Sequence, residues 1–176
     1  GLGSVGRNAA RLAKCFGMRT IGMRRNPGAG RADADTVDAL YGPDGLGKLL
    51  GESDYLAVCV PHTSETVGLL GAAEITSIKR GAVLINIARG SVVDEAAMIE
   101  ALRSGYLRGA VLDVVANEPL AADSPLWDLP NVVITPHSMS TGVDENARLT
   151  TLFCDNLRRY LAGQPLHNVI DKVRGY

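Results

Sequence analysis

Short apolar runs alternate with helical patterns along this chain, and the alternation constrains its fold more than any other feature. The run at 82–87 is nearly continuous and rich in β-branched residues, which is typical of a parallel strand buried on both faces. Similar runs lie at 19–23, 54–60, 109–114 and 131–135. This pattern predicts an α/β fold in which a doubly wound parallel sheet is covered by helices.

Caps and apolar periodicity predict the helices between these runs. They are expected after Gly6 up to Gly17, near 46–50, over 72–78, from a cap at Asp94 to about 104, and over about 143–162. The segment 31–47 is otherwise predicted to be a surface loop, because it is rich in glycine, proline and acidic residues.

Composition indicates one soluble globular domain and gives no electrostatic reason to expect a nucleic-acid partner. The chain has 176 residues, 46% hydrophobic content and a formal net charge of -1. No apolar run is long enough for a membrane span. The three cysteines, Cys15, Cys59 and Cys154, are widely spaced and are predicted to be buried reduced thiols of a cytoplasmic protein. We expect neither a disulfide framework nor a metal site.

The first six residues form the pattern G-x-G-x-x-G and open directly into a helix. Gly1, Gly3 and Gly6 allow a tight turn and a close approach of the backbone to a pyrophosphate. Ser4 and Val5 supply backbone N–H groups at the positive end of that helix. The pattern favours dinucleotide binding in a Rossmann-type domain. An ordinary glycine turn is the alternative, because no strand precedes the motif.

Two arginines follow the run at 19–23, where a nicotinamide-binding unit contacts the adenosine ribose. An acidic residue at that place would repel a 2′-phosphate, whereas guanidinium groups pair with one. Arg24 and Arg25 therefore favour NADP(H), with NAD(H) possible. The alternative is that both arginines are a solvated strand end.

The loop after the run at 54–60 contains Pro61, His62 and Thr63. His62 could act as a catalytic base, but a single histidine before Thr-Ser is more often a solvated loop residue.

Three ionisable residues follow three successive apolar runs: Arg89, Glu118 and His137. The carboxyl ends of parallel strands meet at one edge of a sheet, where such sheets bind ligands. A histidine can exchange the hydroxyl proton of a 2-hydroxy acid, a glutamate can fix its tautomer and favour imidazolium, and an arginine can hold a carboxylate. Each residue alone could be structural. Their joint position favours catalysis.

These motifs resemble the D-isomer-specific 2-hydroxyacid dehydrogenases. The resemblance rests on residues 1–6, 86–94, 112–120 and 131–137, in the family's order. It implies that Arg89, Glu118 and His137 are catalytic. The residues expected to contact the coenzyme are Gly1, Gly3, Ser4, Val5, Gly6, Arg24, Arg25, Pro61, Thr63, Ala88, Arg89 and Asp113, the last resembling the residue that binds the nicotinamide carboxamide. At Arg24 the sequence departs from NAD-using members, which carry an acid.

The resemblance also implies a small 2-keto or 2-hydroxy acid of D configuration as substrate, similar to glyoxylate or hydroxypyruvate. It implies a homodimer formed through the coenzyme domain and a second lobe that closes over the substrate. The same family includes transcriptional corepressors that bind dinucleotide and act as assembly platforms, so a protein without turnover is the alternative function. A truncated nucleotide-binding module is a third reading.

Domain organisation follows from the same motifs. Residues 1–140 are predicted to form the dinucleotide-binding domain, and 141–176 a C-terminal helix and tail that pack back toward a substrate lobe. The motif begins at residue 1, so we expect the first strand and most of the substrate lobe to lie upstream, in a longer enzyme. That strand would lie between the runs at 19–23 and 82–87. We also expect that these 176 residues alone do not turn over substrate.

Overall fold

The computed structural model describes residues 1–27 and 36–173. Within them, the strands are β1 Ile21–Met23, β2 Ala39–Tyr41, β3 Tyr55–Val58, β4 Val83–Asn86, β5 Gly109–Leu112 and β6 Val132–Ile134. The α-helices are α1 Ser4–Cys15, α2 Leu46–Glu52, α3 Ala72–Ser77, α4 Glu95–Arg103 and α5 Glu145–Leu161. The chain divides into two compact units, one ending at His137 and one that begins at Ser138 and contains α5.

The strand pairings in the described residues are all parallel, as the alternation predicts. One sheet has the order β3-β4-β5-β6, and the other consists of β1 and β2. The last residues of the larger sheet's strands lie side by side: Val58, Asn86, Leu112 and Ile134. The loops that follow these strands therefore begin along one edge.

The position of the glycine turn corrects one expectation. We expected the run at 82–87 to lie beside the place of the strand that precedes the turn, but β4 is already paired with β3 on one side and β5 on the other. Instead, Gly1 packs against Cys59 just after β3, and the Leu2 side chain packs on Gly22 of β1. These two contacts place the glycine turn between β1 and β3. It cannot lie beside β4, because β3 and β5 already occupy both edges of that strand.

The core lies between one face of the larger sheet and helices α2, α3 and α4. Leu50, Ile75, Leu84 and Leu102 belong to one cluster of buried side chains. Burying a leucine or isoleucine fully stabilises the fold by about 1.5–3 kcal/mol. The predicted cap of α4 is confirmed, since Asp94 Oδ1 accepts a hydrogen bond from the Ala97 N–H at 3.0 Å.

The segment 31–47 was predicted to be a loop with one short helix, and β2 was missed. Residues 31–35 lie outside the described residues, while α2 confirms the helix near 46–50. β2 has three residues and pairs with β1, with Leu40 beside Gly22. A three-residue strand is too short to show a periodic pattern in sequence. Its formation also depends on pairing with β1, which is distant along the chain.

Burial on both faces of the central strands was also expected, and this is wrong for the described structure. In β3, Leu56 and Val58 are buried, whereas Tyr55 is half-exposed. β4 likewise alternates between buried and half-buried residues, because only one face packs against the core helices. The apolar stripe of α5 is exposed as well, at Leu149, Phe153, Leu157, Tyr160 and Leu161.

The cysteines are free, as predicted, but they are not buried. Cys15, the last residue of α1, is exposed, and Cys59 and Cys154 are half-buried. Within residues 1–27 and 36–173, none of the helices combines the length and apolar character that crossing a membrane requires.

Candidate active site

The glycine turn is built so that a phosphate can approach the start of α1. A β-carbon on Gly6 would lie 2.0 Å from the Gly1 carbonyl oxygen, so only glycine allows this close approach. Gly3 has open space where a side chain would stand, and Ser4 and Val5 are exposed. No side chain caps α1 at Gly3, and its first turn has no acidic residue. The N-terminal amides and the positive helix end thus suit a pyrophosphate.

Arg24 and Arg25 lie on the loop after β1, beside the glycine turn. The Arg24 N–H donates to the Tyr41 carbonyl at 3.0 Å, which ties this loop to β2. The Arg25 guanidinium forms an ion pair with Glu65, which lies on the loop after β3. This pair links the two loops on either side of the glycine turn, and no sequence pattern indicates it.

The loop after β3 is held by hydrogen bonds of Thr66. Its hydroxyl donates to the Pro61 carbonyl at 2.6 Å and accepts from the Thr63 N–H at 2.8 Å. Thr63 is half-buried and Pro61 is exposed in this ordered turn. His62 is exposed, in keeping with the solvated loop residue that its sequence context favours.

Arg89 lies on a tight turn that leaves β4. Its guanidinium donates to the carbonyl of Ala88 at 2.7 Å, and Ala88 itself is buried. The turn packs directly on the next loop, since a β-carbon on Gly90 would lie 1.9 Å from the Val115 carbonyl oxygen. Glycine is required at position 90 for this contact. The contact holds the Arg89 turn against the loop that leads to Glu118.

Asp113 is a buried carboxylate at the end of β5, with only 4% of its surface exposed. Thr135, just after β6, donates a hydrogen bond from its hydroxyl to Asp113 Oδ1. The backbone N–H of Asp113 donates to the Asn86 carbonyl at 3.0 Å. Asp113 is thus held from both neighbouring strand ends, at its carboxylate by Thr135 and at its backbone N–H by Asn86, as a group that orients a coenzyme amide would need to be.

Glu118 and His137 contact each other at the same edge of the sheet. His137 Nδ1 lies 2.7 Å from Glu118 Oε2, and the Val115 N–H donates to Glu118 Oε1 at 3.2 Å. Because a carboxylate can only accept, Nδ1 carries the proton in this pair and Nε2 is left for exchange. His137 adopts a φ of 53°, in the left-handed region that few residues other than glycine adopt.

The pKa of Glu118 is lowered from its ordinary value. The hydrogen bond from His137 is the largest cause; the Val115 N–H and the charges of His137 and Arg89 act in the same direction, while partial desolvation opposes them. Glu118 therefore stays ionised at neutral pH and can accept the hydrogen bond from His137 Nδ1.

The structure brings Arg89, Glu118 and His137 to the loops at one edge of the larger sheet, as the strand pattern predicts, and Asp113 lies at the same edge. The residues that sequence reasoning missed are Asn86, Thr135 and Glu65. Asn86 was detectable as an amide inside an apolar strand, since a buried polar side chain needs partners. Glu65 carried no such signal. In the described part of the chain, no group of three or more His, Cys, Asp or Glu side chains is arranged to hold a metal ion.

Comparison with known proteins identifies the family. Residues 1–138 match the model of the D-isomer specific 2-hydroxyacid dehydrogenase NAD-binding domain. The chain belongs to this family. The resemblance drawn from its motifs and the Rossmann-type fold are both confirmed, and the described sheet and helices form an NAD(P)-binding domain.

Relatives and solved structures agree with this membership. A glyoxylate reductase of Korarchaeum cryptofilum is 36% identical over 175 residues, which cover 98% of this chain and 51% of that protein. A family structure from Xanthobacter autotrophicus Py2 in complex with NADPH and MES has a TM-score of 0.90 and 41% identity, covering 100% of this chain and 70% of that one. The NADPH-dependent glyoxylate/hydroxypyruvate reductase of Sinorhizobium meliloti, solved with NADP and sulfate, has a TM-score of 0.89 and 36% identity, covering 100% and 55%. This chain thus spans about half the length of the curated relatives it matches.

Proposed function

We propose that this chain is the coenzyme-binding part of an oxidoreductase that transfers a hydride between NAD(P)H and a small 2-keto acid, giving a D-2-hydroxy acid. Glyoxylate and hydroxypyruvate are the expected substrates. The observation that carries the proposal is the His137–Glu118 pair, at 2.7 Å, on the sheet edge that also presents Arg89 and Asp113. The reaction needs a proton donor that is paired with a counterion and, beside it, a cationic side chain that holds the substrate carboxylate.

Coenzyme binding is assigned to the residues around the glycine turn and the strand ends. These are Gly1, Gly3, Ser4, Val5, Gly6, Arg24, Arg25, Pro61, Thr63, Ala88, Arg89 and Asp113. The amides at the start of α1 would hold the pyrophosphate, and Asp113 the nicotinamide carboxamide. When bound, the coenzyme supplies the hydride that reduces the carbonyl carbon of the keto acid.

The protein's own residues would handle the proton and the substrate charge. Arg89 would hold the substrate carboxylate and polarise its carbonyl. His137 would donate its Nε2 proton to the carbonyl oxygen during reduction and recover it from the hydroxyl in the reverse direction. Glu118 would keep Nδ1 protonated and stabilise imidazolium before transfer.

Arg24 and Arg25 favour NADP(H) as the coenzyme, because both follow β1, where a nicotinamide-binding unit contacts the adenosine ribose, and guanidinium groups pair with a 2′-phosphate. Two relatives with TM-scores of 0.90 and 0.89 were solved with NADPH or NADP, which supports this preference. We further propose a metal-free reaction in the cytoplasm, without a nucleic-acid or membrane partner. The protein would form a homodimer through residues 1–140, with 141–176 packing toward the substrate lobe.

The proposal is tested on the complete gene product that contains these residues. Oxidation of NADPH and NADH is followed by absorbance with glyoxylate or hydroxypyruvate, and the glycerate formed from hydroxypyruvate is resolved by chiral chromatography. We expect turnover with both acids, with D-glycerate as the product from hydroxypyruvate and glycolate, which is achiral, from glyoxylate. Dinucleotide binding without turnover of either acid would contradict the proposal and favour the corepressor-like alternative. Formation of L-glycerate would contradict the assigned stereochemistry.

A further inference from the structure

Asn86 is a buried amide at the end of β4, and both polar atoms of its side chain are used. Only 2% of its surface is exposed. Its Oδ1 accepts a hydrogen bond from the Ala88 N–H at 3.0 Å, and its Nδ2 donates to the Arg89 carbonyl at 3.1 Å. The side chain thus spans the turn that leads to Arg89 and is bonded at both sides of it.

These two hydrogen bonds require a side chain that accepts and donates at the same time. An apolar residue of similar size would leave a buried N–H and a buried carbonyl without partners, and an ionised aspartate would offer no donor for the Arg89 carbonyl. Asparagine satisfies both groups while fitting the width of a short turn.

The same residue connects the Arg89 turn to the coenzyme side of the site. The Asn86 backbone carbonyl accepts from the Asp113 N–H at 3.0 Å, and the Asp113 carboxylate accepts from Thr135. The Thr135 carbonyl in turn accepts from the His137 N–H at 3.0 Å. A continuous chain of hydrogen bonds therefore runs from Arg89 to His137, and Asn86 is its first link.

We infer that Asn86 is a positioning residue that sets the direction of the Arg89 guanidinium for the substrate carboxylate. Its side chain acts through Arg89, whereas its link to Asp113 is made by the backbone and persists when the side chain is changed. Losing the amide should therefore weaken keto-acid binding much more than coenzyme binding, because Ala88 and Arg89 are only two of the proposed coenzyme contacts and most of the others lie at the glycine turn and after β1. The inference rests on the proposed function, in which Arg89 anchors the substrate.

A double-mutant cycle on the complete gene product separates positioning from ordinary stability. Asn86→Ala, Arg89→Ala and the double variant are compared for the KM of glyoxylate, for kcat and for the Kd of NADPH by fluorescence. Asn131→Ala is the matched control: Asn131 Nδ2 also donates to a backbone carbonyl, that of Leu102 at 3.2 Å, away from the site. Thermal unfolding of each variant is followed by circular dichroism.

We expect Asn86→Ala to raise the KM of glyoxylate by about tenfold, the equivalent of one lost buried hydrogen bond, while the Kd of NADPH changes by less than about threefold. When Asn86→Ala is added to the Arg89→Ala variant, the KM of glyoxylate should rise by less than about a further twofold, because the effect of Asn86 passes through Arg89. Asn131→Ala should lower stability without raising KM.

Independent effects of Asn86→Ala and Arg89→Ala on KM would overturn the inference and leave the proposed function standing. If Arg89→Ala alone left KM unchanged, the anchor role of Arg89 in the proposed function would be wrong, and the role of Asn86 with it. Should Asn86→Ala not fold, Asn86→Asp replaces it in the cycle. That variant has nearly the same shape and keeps the acceptor for the Ala88 N–H, but when ionised it cannot donate to the Arg89 carbonyl.

Discussion

Glu118 Oε2 lies 2.7 Å from His137 Nδ1, although the two residues are 19 positions apart and follow different strands. A hydrogen-bonded carboxylate favours imidazolium, the form that donates a proton during reduction. We predict that Glu118→Gln lowers kcat/KM for keto-acid reduction and changes its pH dependence, because the imidazole loses the carboxylate that holds its Nδ1 proton.

The measurement for this prediction is kcat/KM for glyoxylate as a function of pH. Glu52→Gln is the control, since Glu52 also forms an ion pair, with Arg19 at 2.9 Å, but outside the site. A profile of Glu118→Gln that coincides with that of the unaltered protein would show that Glu118 does not act on the proton donor.

The second prediction concerns coenzyme choice. Arg24→Asp places an acid where the ribose phosphate is expected, so NADPH binding should weaken by about tenfold or more and NADH should become the preferred coenzyme. The Kd values of both coenzymes are measured by fluorescence titration. Arg19→Asp, which alters an arginine before β1 instead of after it, is the control. Unaltered preference in Arg24→Asp would remove the basis for an NADP assignment.

The third prediction concerns the counterion of Arg25. Glu65 is ion-paired with Arg25 and is exposed. If Arg25 binds the 2′-phosphate as proposed, the Glu65 carboxylate would lie near that phosphate and would repel it. Glu65→Gln should therefore tighten NADPH binding by about threefold, an effect that should diminish at high salt, with little change for NADH. Weaker NADPH binding in this variant would mean that Glu65 instead orients Arg25 for the phosphate.

The sequence predicted the parallel sheet, the helices and the order of the site residues because these depend on local patterns. Gly6 and Asp94 are needed by their own turn and cap, so their types could be interpreted from neighbouring residues alone. Strand alternation also predicted that Arg89, Glu118 and His137 share an edge, since parallel strands bring their carboxyl ends together.

What the sequence could not predict depends on contacts between distant segments. β2 forms only because β1 lies beside it, and the Arg25–Glu65 pair joins loops 40 positions apart. The buried amide of Asn86 stood within a recognised motif, but its two hydrogen bonds depend on how the turn at Arg89 folds back. Contacts between distant segments produce no periodic pattern in the amino-acid sequence.

The fourth prediction concerns stability in acid. The Asp38 carboxylate accepts hydrogen bonds from the N–H and the hydroxyl of Thr20. Its Oδ1 also forms an ion pair with Lys14 Nζ at 3.0 Å. The Thr20 N–H is the largest cause that lowers the pKa of Asp38 to about 2. Because this pKa is depressed on folding, the stabilisation is complete above the unfolded-state pKa of about 3.9 and is lost as pH falls toward 2.

Asp38→Asn should therefore lower the midpoint of thermal unfolding at pH 7, with a difference from the unaltered protein that shrinks between about pH 4 and pH 2. Asp54→Asn is the control, because Asp54 pairs with Lys79 at an exposed position. A difference that stays constant over this range would contradict the assigned pKa shift.

The central claim is that His137 exchanges the substrate proton in a dehydrogenase whose coenzyme site lies at the same sheet edge. It is tested most directly by His137→Gln in the complete gene product, with kcat for glyoxylate reduction and the Kd of NADPH measured on the same preparation. We predict that kcat falls by about 10²- to 10⁴-fold while the Kd changes by less than about threefold. A variant that retains nearly full turnover would contradict the account.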